Sequence, residues 1–336
     1  MKSTMLKKTL LVLSVISVST LLMSFEKKQK AVRTVIIDAG HGGRDVGARG
    51  EYSYEKDICL GVSLKLGQQI MKEVPDVKLI YTRTGDTYPE LHSRASLANQ
   101  NKGDLFISIH VNAAPPRESR ELTGYKSVVS YTGKGKSKKK VTKKVPQYRV
   151  VRTPNPAKGT ETYIWGAHKN EDKEVAMREN APMLAEDNFN QKYGDIDPNS
   201  PEFIALSLLK TKQFFKRSAT LAGFVEEQFT KVGRVSRGQK QRQVGIWVLQ
   251  ATAMPSILVE TGYITNREEE DYLNSATGQQ EIAFCITGAL KDYINWLEKN
   301  QTPAAASLPM QTPNKETTKI FLEAVDAHEK GRMTAK

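Results

Sequence analysis

The chain of 336 residues has few cysteines and no recognisable nucleotide-binding loop. Its two cysteines, Cys59 and Cys285, are too few for a disulfide framework or for a zinc site built from cysteine. Each lies among apolar residues in a helical pattern, so we expect two buried, unreactive thiols. The glycine-rich stretch GHGGRDVG has neither G-x-x-x-x-G-K-[ST] nor G-x-G-x-x-G spacing, which excludes the common phosphate-binding loops there.

A long uncharged run occurs at the N-terminus, from Thr9 to Phe25, after the basic residues Lys2, Lys7 and Lys8. It is short for a membrane span, which needs about 20 residues, and has the length of a signal-peptide core. We therefore predict an export signal over residues 1–25, with an uncleaved anchor as the alternative. The body of the protein would work outside the cytoplasm, in the periplasm or cell envelope, and would meet the membrane only through this segment.

Acidic residues are absent between Lys126 and Lys158, where eleven lysines and arginines carry most of the net charge of +13. Clustered lysines with Gly, Ser and Thr cannot form much of a core, so we expect an exposed loop. One interpretation is a solvated loop without a partner. The other is electrostatic attachment to anions of the envelope, such as peptide carboxylates. Export argues against nucleic acid as the partner.

Strand patterns alternate with helical patterns in the middle of the chain. Apolar runs such as TVIID and SILVETG predict buried strands, whereas Ile58, Val62 and Leu66 recur at helical spacing after Glu55. This alternation predicts an α/β fold with a largely parallel sheet covered by helices on both faces. We predict one domain over residues 33–297. Residues 301–336 read as a Pro/Ala/Thr linker and a tail.

Three ionisable residues end apolar strand patterns: His41, His110 and Glu260. Ligands of open α/β sheets collect at the carboxyl ends of the strands. A carboxylate directly after an apolar run is costly to desolvate unless it is paired or binds a metal. Together the three residues predict a functional site at this edge of the sheet.

The residue types at this edge suit zinc. Catalytic zinc sites commonly take three ligands from histidine and carboxylate and keep one position open. His41, His110 and Glu55 supply such a set, and a glutamate at a helix start is favoured by the helix dipole. The alternative is a glycine-rich turn that holds buried, hydrogen-bonded histidines.

Several longer motifs resemble a known family. They are TVIIDAGHGGRDVGARG…EKDICL, RTGDTYPELHSRASLAN, GDLFISIHVNA, GTETYIWG and VLQATAMPSILVETGYITNREEEDYL. In this order they resemble the zinc-dependent N-acetylmuramoyl-L-alanine amidases, the amidase type 3 family of cell-wall hydrolases. The resemblance implies a mixed, mostly parallel sheet and one Zn²⁺ per chain. It also implies His41, Glu55 and His110 as metal ligands and Glu260 as the catalytic residue.

The substrate implied by the resemblance is peptidoglycan, cut at the amide between N-acetylmuramic acid and L-alanine during wall remodelling or daughter-cell separation. Arg83 and Arg94 are candidates for contacting substrate carboxylates, although solvated surface arginines are the commoner case. Asn112 could orient a ligand or cap the end of its strand. Two alternatives stay open: a zinc peptidase or carboxypeptidase, and a wall-binding protein without activity.

Two insertions interrupt the family pattern, at about residues 126–158 and 171–199. The second contains a short helical pattern with Val175, Met177 and Leu184, and its RENA motif resembles the regulatory insertion of some family members. In those relatives the insertion covers the active site until an activator protein relieves the block. A carboxylate can occupy the open zinc position, so we expect Glu179, or else Glu186, to be the blocking residue. The alternative is a helix that only decorates the fold.

Overall fold

The computed structural model describes residues 31–133, 138–165, 178–182, 186, 201–242 and 246–300. The predicted export signal, the C-terminal tail and the residues Val175, Met177 and Leu184 lie outside the described residues. Within the described ranges, no helix is both long and apolar enough to cross a membrane.

One six-stranded sheet forms the centre of the domain. Its strands are β1 (Thr34–Ala39), β2 (Lys78–Tyr81), β3 (Leu105–Asn112), β6 (Thr160–Trp165), β7 (Ser236–Arg242) and β8 (Ser256–Tyr263). They lie in the order β2-β1-β3-β8-β6-β7. The first four run parallel, and β6 pairs antiparallel with β8 but parallel with β7. The prediction of a mixed, mostly parallel α/β sheet is confirmed.

Helices cover both faces of this sheet. They are α1 (Glu55–Glu73), α2 (Leu91–Gln100), α3 (Pro201–Lys231), α4 (Trp247–Ala251), α5 (Arg267–Asn274) and α6 (Ala276–Asn300). Helix α6 contacts both α1 and α3, while α2 and α4 contact each other. Because successive side chains of a strand point to opposite faces, cover on both faces buries β3 and β8 over their whole length. Both cysteines are buried and free, as predicted.

The core on the α2 and α4 side shows how the strands and helices meet. Ile36, Phe106 and Leu258 come from three neighbouring strands and pack in one cluster with Ala98 of α2 and Leu249 of α4. All five are at most 4% exposed. This packing holds the three strands in register, and so it fixes where their carboxyl ends lie.

The basic stretch is not a loop, and our expectation there is wrong. Arg117–Thr132 (β4) and Lys139–Thr153 (β5) pair as a two-stranded antiparallel sheet. The pairing starts at Arg117, before the stretch that the charge pattern marked out. Exposure was predicted correctly, because no residue of either strand is buried. The valines and tyrosines among the lysines have high strand propensity, which a prediction from charge alone overlooks.

Candidate metal centre and active site

The sheet brings His41, Glu55 and His110 together at the carboxyl ends of β1 and β3. His41 follows β1 by two residues, His110 lies near the end of β3, and Glu55 is the first residue of α1. One ligand atom from each of these side chains, and one from Glu179, lie within 4.8 Å of one another, and all four residues are buried. The arrangement therefore offers two imidazoles and two carboxylates to a single point.

Two glycines leave the room that these side chains need. A Cβ on Gly40 would lie 2.5 Å from Cε1 of His110. Gly47 has φ +65, and a Cβ there would lie 2.6 Å from Oε2 of Glu55 and 2.7 Å from Cδ2 of His41. A side chain at either position would displace a candidate ligand, which explains why these two positions are glycine.

The candidate ligands are held by hydrogen bonds that leave their remaining atoms facing the centre. Glu55 accepts the N–H of Val111 at Oε1 (2.9 Å) and the N–H of Ala48 at Oε2 (2.7 Å). Nδ1 of His41 lies 2.8 Å from Oδ2 of Asp45, so its Nε2 faces inward. A carboxylate behind a histidine is the usual support of a metal-ligating imidazole. Our reading of the sequence missed Asp45, although an acid four residues after His41 in a glycine-rich loop is a usable signal.

The charges at this point are strongly coupled. Burial alone would lower the pKa of both histidines, but the Glu55 carboxylate raises the pKa of His41 well above its usual value. The Glu179 carboxylate likewise raises the pKa of His110 to about 9. Burial would raise the pKa of Glu55, yet the positive charge of His41 holds it below its usual value. Two imidazoles and two carboxylates of opposite charge therefore lie close together in a buried site.

The donor atoms fit a zinc ion. Among the described residues, Nε2 of His41, Oε2 of Glu179 and Oε2 of Glu260 are buried without a hydrogen bond. Nε2 of His41 lies 3.2 Å from the carboxylates of both Glu55 and Glu179. Imidazole nitrogen and carboxylate oxygen are ligand types that zinc accepts, and three or four of them around one point suit its tetrahedral preference.

Glu260 lies beside His110 on the neighbouring strand. The two residues are register partners between β3 and β8, and Glu260 is 0% exposed. Burial raises the pKa of Glu260 to about 8, with a further contribution from the Glu179 carboxylate and against the opposing charge of Arg178. A carboxylate with a pKa near neutrality can accept a proton and return it, as a general acid–base group must.

Glu179 reaches the centre together with its neighbour Arg178. Oε2 of Glu179 lies 2.8 Å from Nδ1 of His110. Arg178 donates to Glu179 Oε1 (2.8 Å), to Glu260 Oε1 (3.2 Å) and to Asn112 Oδ1 (3.2 Å). This part of the second insertion therefore contacts the candidate ligands and the candidate base at once. Arg178 was not identified from the sequence, where it is one of many arginines.

Glu186 is buried outside the cluster of candidate ligands. Its Oε1 accepts hydrogen bonds from the hydroxyl of Tyr88 (2.9 Å) and the backbone N–H of Leu91 (3.1 Å). The carboxylate thereby fastens the insertion to the start of α2. Of the two acids predicted to block the site, the structure places only Glu179 among the candidate ligands.

Arg83 and Arg94 are interior residues, which corrects both roles considered for them. They are 4% and 3% exposed. Arg83 donates to the carbonyls of Ala39 (3.0 Å) and Gly40 (2.6 Å). Arg94 donates to the carbonyl of His41 (2.7 Å). Because their guanidinium groups bind the backbone around His41, they hold this loop in place and are not available on the surface for substrate.

Arg94 also forms a buried ion pair with Asp38. Nη1 of Arg94 lies 2.7 Å from Oδ1 of Asp38, which also accepts the hydroxyl of Thr82 (2.6 Å), and Oδ2 accepts the hydroxyl of Ser108 (2.6 Å). Burial alone would raise the pKa of Asp38, but the charge of Arg94 and these hydrogen bonds hold it below the usual value. Asp38 therefore has partners for both carboxylate oxygens, and through Arg94 it supports the loop that carries His41.

A cleft of about 560 Å³ begins next to this centre and is lined by Asn112 and Glu161. Glu161 is the register partner of Glu260 on β6 and is 3% exposed. It accepts hydrogen bonds from the hydroxyl of Tyr263 (2.9 Å), from Arg237 and, at 3.4 Å, from the amide of Asn112. Asn112 thus links the centre to the cleft. Glu161 was missed, although an acid inside the apolar run TETYIW is the signal that marked Glu260.

Residues 35–292 match the family described as N-acetylmuramoyl-L-alanine amidase. Amidase AmiC of Escherichia coli O6:H1 is 30% identical over 262 residues, which are 77% of this chain and 52% of that protein. Amidase AmiA of Escherichia coli K12 is 27% identical over 276 residues, 82% of this chain and 81% of that protein. The chain therefore spans about half the length of the first relative. The resemblance inferred from the motifs is confirmed.

Similar solved structures include the N-acetylmuramoyl-L-alanine amidase from Clostridium difficile 630, which is 25% identical with a TM-score of 0.49. The similarity covers 79% of this chain and 98% of that chain.

Proposed function

The chain belongs to the N-acetylmuramoyl-L-alanine amidase family, and we propose that it is a zinc-dependent peptidoglycan hydrolase. The bond it cuts is the amide between N-acetylmuramic acid and the L-alanine of the stem peptide. The observation that carries this proposal is the convergence of His41, Glu55 and His110 beside the buried Glu260. The proposed setting is the cell envelope, with a role in wall remodelling or daughter-cell separation, and no nucleic-acid partner.

His41, Glu55 and His110 would hold one zinc ion per chain. When bound there, the ion supplies a Lewis acid for the scissile carbonyl and lowers the pKa of a water molecule. Asp45 keeps Nε2 of His41 directed inward, and the N–H groups of Val111 and Ala48 orient the Glu55 carboxylate. The buried position of these groups limits the number of water molecules that compete with substrate.

Glu260 moves the proton in this proposal. Its carboxylate takes a proton from the attacking water and then delivers it to the departing amine of L-alanine. Its raised pKa, which burial causes, suits both steps, because the group must accept and release a proton at similar pH. Asn112 is one strand away and lines the cleft, where it can orient the part of the substrate beyond the scissile amide.

The same site contains its own inhibitor in our proposal. Glu179 lies where a fourth ligand would lie, and Arg178 covers Glu260 with a charge-assisted hydrogen bond. A carboxylate at the open position excludes water, and an arginine on the base opposes proton uptake. The insertion at about residues 171–199 would therefore keep the enzyme inactive until an activator protein withdraws it, which would protect the cell's own wall.

Mass spectrometry of digested peptidoglycan tests the activity. Purified protein that has been activated by removal of the insertion should release stem peptides with a free L-alanine amine and leave free muramic acid carboxyl groups. A chelator should stop the reaction, and added zinc should restore it. The Glu260→Gln variant is the matched control, since it keeps all candidate ligands. New termini elsewhere in the stem peptide would identify a peptidase and refute the proposal.

A further inference from the structure

The hairpin of β4 and β5 projects from the domain with both of its faces exposed. Neither strand has a buried residue, and the two strands contact each other far more than any other element. A two-stranded hairpin alone is marginally stable in water. A ribbon of this length therefore gains most from a partner that covers one of its faces.

The exposed apolar side chains gather on one face of this hairpin. Of the fifteen large hydrophobic side chains that are exposed among the described residues, eight belong to β4 and β5. Directly paired residues share a face, and so do alternate residues along a strand. The register then places six of the eight on one face, which we call the tyrosine face: Leu122, Tyr125, Val129, Tyr131, Tyr148 and Val150. Val128 and Val145 are on the opposite face.

The three tyrosines give this face its chemistry. Tyr125, Tyr131 and Tyr148 are 62%, 66% and 56% exposed. Tyr125 and Tyr131 are six residues apart on one strand, which corresponds to about 20 Å. An exposed aromatic ring offers a flat apolar surface with a polar tip. The C–H face of a sugar ring packs on such a surface, and a polysaccharide is long enough to reach all three rings.

The net positive charge of the hairpin favours binding of a negatively charged polymer. The two strands carry nine lysines and arginines and two acids. The acids pair with Arg149 and Arg152 across the strands. Lys140 and Lys144 lie on the tyrosine face opposite Tyr131 and Ser127. Peptidoglycan presents sugar rings and peptide carboxylates together, which matches rings and cations on one face.

The hairpin edges argue against pairing with another strand. Pro146 lies within β5 and cannot donate a backbone hydrogen bond, and four lysines lie along the same strand. Both features oppose strand addition at an edge. The face of the hairpin is therefore a better docking surface than its edges.

The base of the hairpin adjoins the candidate active site. Arg117 and Asn155 line the same cleft as Asn112 and Glu161, and the amide of Asn155 donates to the carbonyl of Pro115 (2.9 Å). A polymer held along the hairpin can thus continue into the cleft and on to Glu260. This continuity favours the substrate polymer itself over a membrane as the occupant.

We propose that the tyrosine face of the β4–β5 hairpin binds peptidoglycan strands, through sugar stacking on Tyr125, Tyr131 and Tyr148 and through ion pairs from Lys140 and Lys144. The proposal rests on the proposed function, because the substrate defines the polymer. It assigns to an insertion of this chain the task of holding the enzyme on insoluble wall.

Cosedimentation with insoluble sacculi tests the proposal in the full chain. The Glu260→Gln background prevents digestion during the assay. Replacing the three tyrosines by threonine keeps β propensity and should weaken binding about tenfold, which is about 1.4 kcal/mol. The matched control is Val128→Thr with Val145→Thr on the opposite face, which should bind within about twofold of the parent. Unchanged circular dichroism in both variants verifies the fold.

The charge contribution is measured with Lys140→Gln and Lys144→Gln. Parent binding should weaken as salt rises, because exposed charges are screened within about 8 Å at physiological ionic strength. The double variant should bind less tightly and depend less on salt. Parent-like binding by the tyrosine variant would overturn the proposal, whatever the lysine variant does. Binding to anionic lipid vesicles but not to sacculi would overturn it as well.

Hydrolysis of a soluble muropeptide separates this proposal from the proposed function. Both versions for this test keep Glu260 and lack the insertion at about residues 171–199, so that they are active. The tyrosine variant should then cut the muropeptide as fast as the insertion-free parent and cut sacculi more slowly. If the insertion-free parent cuts neither substrate, the proposed function fails while the binding result still stands. If it cuts both and the tyrosine variant sediments normally, only the docking surface is refuted.

Discussion

Replacing Glu179 by glutamine should change hydrolysis and zinc affinity in opposite directions. The carboxylate lies 2.8 Å from Nδ1 of His110 and 3.2 Å from Nε2 of His41, it accepts a hydrogen bond from Arg178, and its side chain is 2% exposed. A hydrogen bond to a charged group contributes about 1.5–3 kcal/mol. In the inhibited state Glu179 lies among the candidate ligands, and in the active state the insertion has moved away. Loss of the charge should therefore destabilise the inhibited state by about 3 kcal/mol in total, which corresponds to about a hundredfold shift towards the active state.

Two measurements on the same preparation check this result. Release of labelled fragments from sacculi at saturating zinc should rise by up to about a hundredfold, because the blocked fraction falls. Zinc affinity, measured by competition with a chromogenic chelator, should fall by at least about tenfold, since one of four candidate ligands is weakened. If Glu179 were a permanent zinc ligand needed for activity, zinc affinity would also fall, but hydrolysis would fall with it. The hydrolysis rate therefore distinguishes an inhibitory Glu179 from a permanent ligand.

The control variant is Glu186→Gln, which loosens the same insertion at Tyr88 and Leu91 and leaves the candidate ligands intact. It should raise hydrolysis less and leave zinc affinity unchanged. Replacing residues 171–199 by a short Gly/Ser linker should raise hydrolysis at least as much as Glu179→Gln. If hydrolysis falls together with zinc affinity in Glu179→Gln, and the linker variant is no faster than the parent, the autoinhibition is refuted.

Four further substitutions probe the centre and its support. Glu260→Gln should keep zinc and lose hydrolysis by about 10²-fold or more, whereas His110→Ala should lose both; an active, metal-free His110→Ala protein would contradict the zinc mechanism. Gly47→Ala should weaken zinc binding, measured by titration, because its Cβ would lie 2.6 Å from the Glu55 carboxylate; parental affinity would show that the loop can shift freely. Asp38→Asn should lower the free energy of unfolding by about 3–5 kcal/mol, since it leaves Arg94 buried without its partner. The lowered pKa of Asp38 contributes stability above the unfolded pKa of about 3.9 that is lost as pH falls further, so denaturant titrations of Asp38→Asn should show a weaker pH dependence there, and an identical dependence would contradict the role of the pair.

Local sequence patterns predicted the elements that carry the candidate ligands. The strands that carry His110 and Glu260 are mostly apolar before these residues, and α1 begins at Glu55 as its helical spacing indicated. Such patterns are readable because strand and helix periodicity reflect burial on one or both faces. The parallel arrangement of the strands then places their carboxyl ends at one edge, so the grouping of His41, His110 and Glu260 follows from order along the chain.

The hairpin shows where a local pattern is insufficient. β4 and β5 are strands because they pair with each other, and paired residues such as Arg117 and Thr153 are far apart in sequence. The strand β7 was also missed, because SRGQKQR lies at the sheet edge and has no apolar alternation. Which strands pair, and which strand lies at the edge, depends on the assembled sheet. The local sequence of each strand therefore indicates these properties only weakly.

The sequence by itself determined the fold class, the family and the residues that end the central strands, because these depend on local periodicity and short motifs. Only the tertiary structure decided which polar side chains serve the centre. It buried Arg94 beneath the His41 loop, set Asp45 behind the His41 imidazole, and carried Arg178 onto Glu260 from an insertion. An arginine or aspartate on the surface and one in a buried network have the same local sequence signal. Their difference arises when distant segments pack and each charge must find a partner away from water.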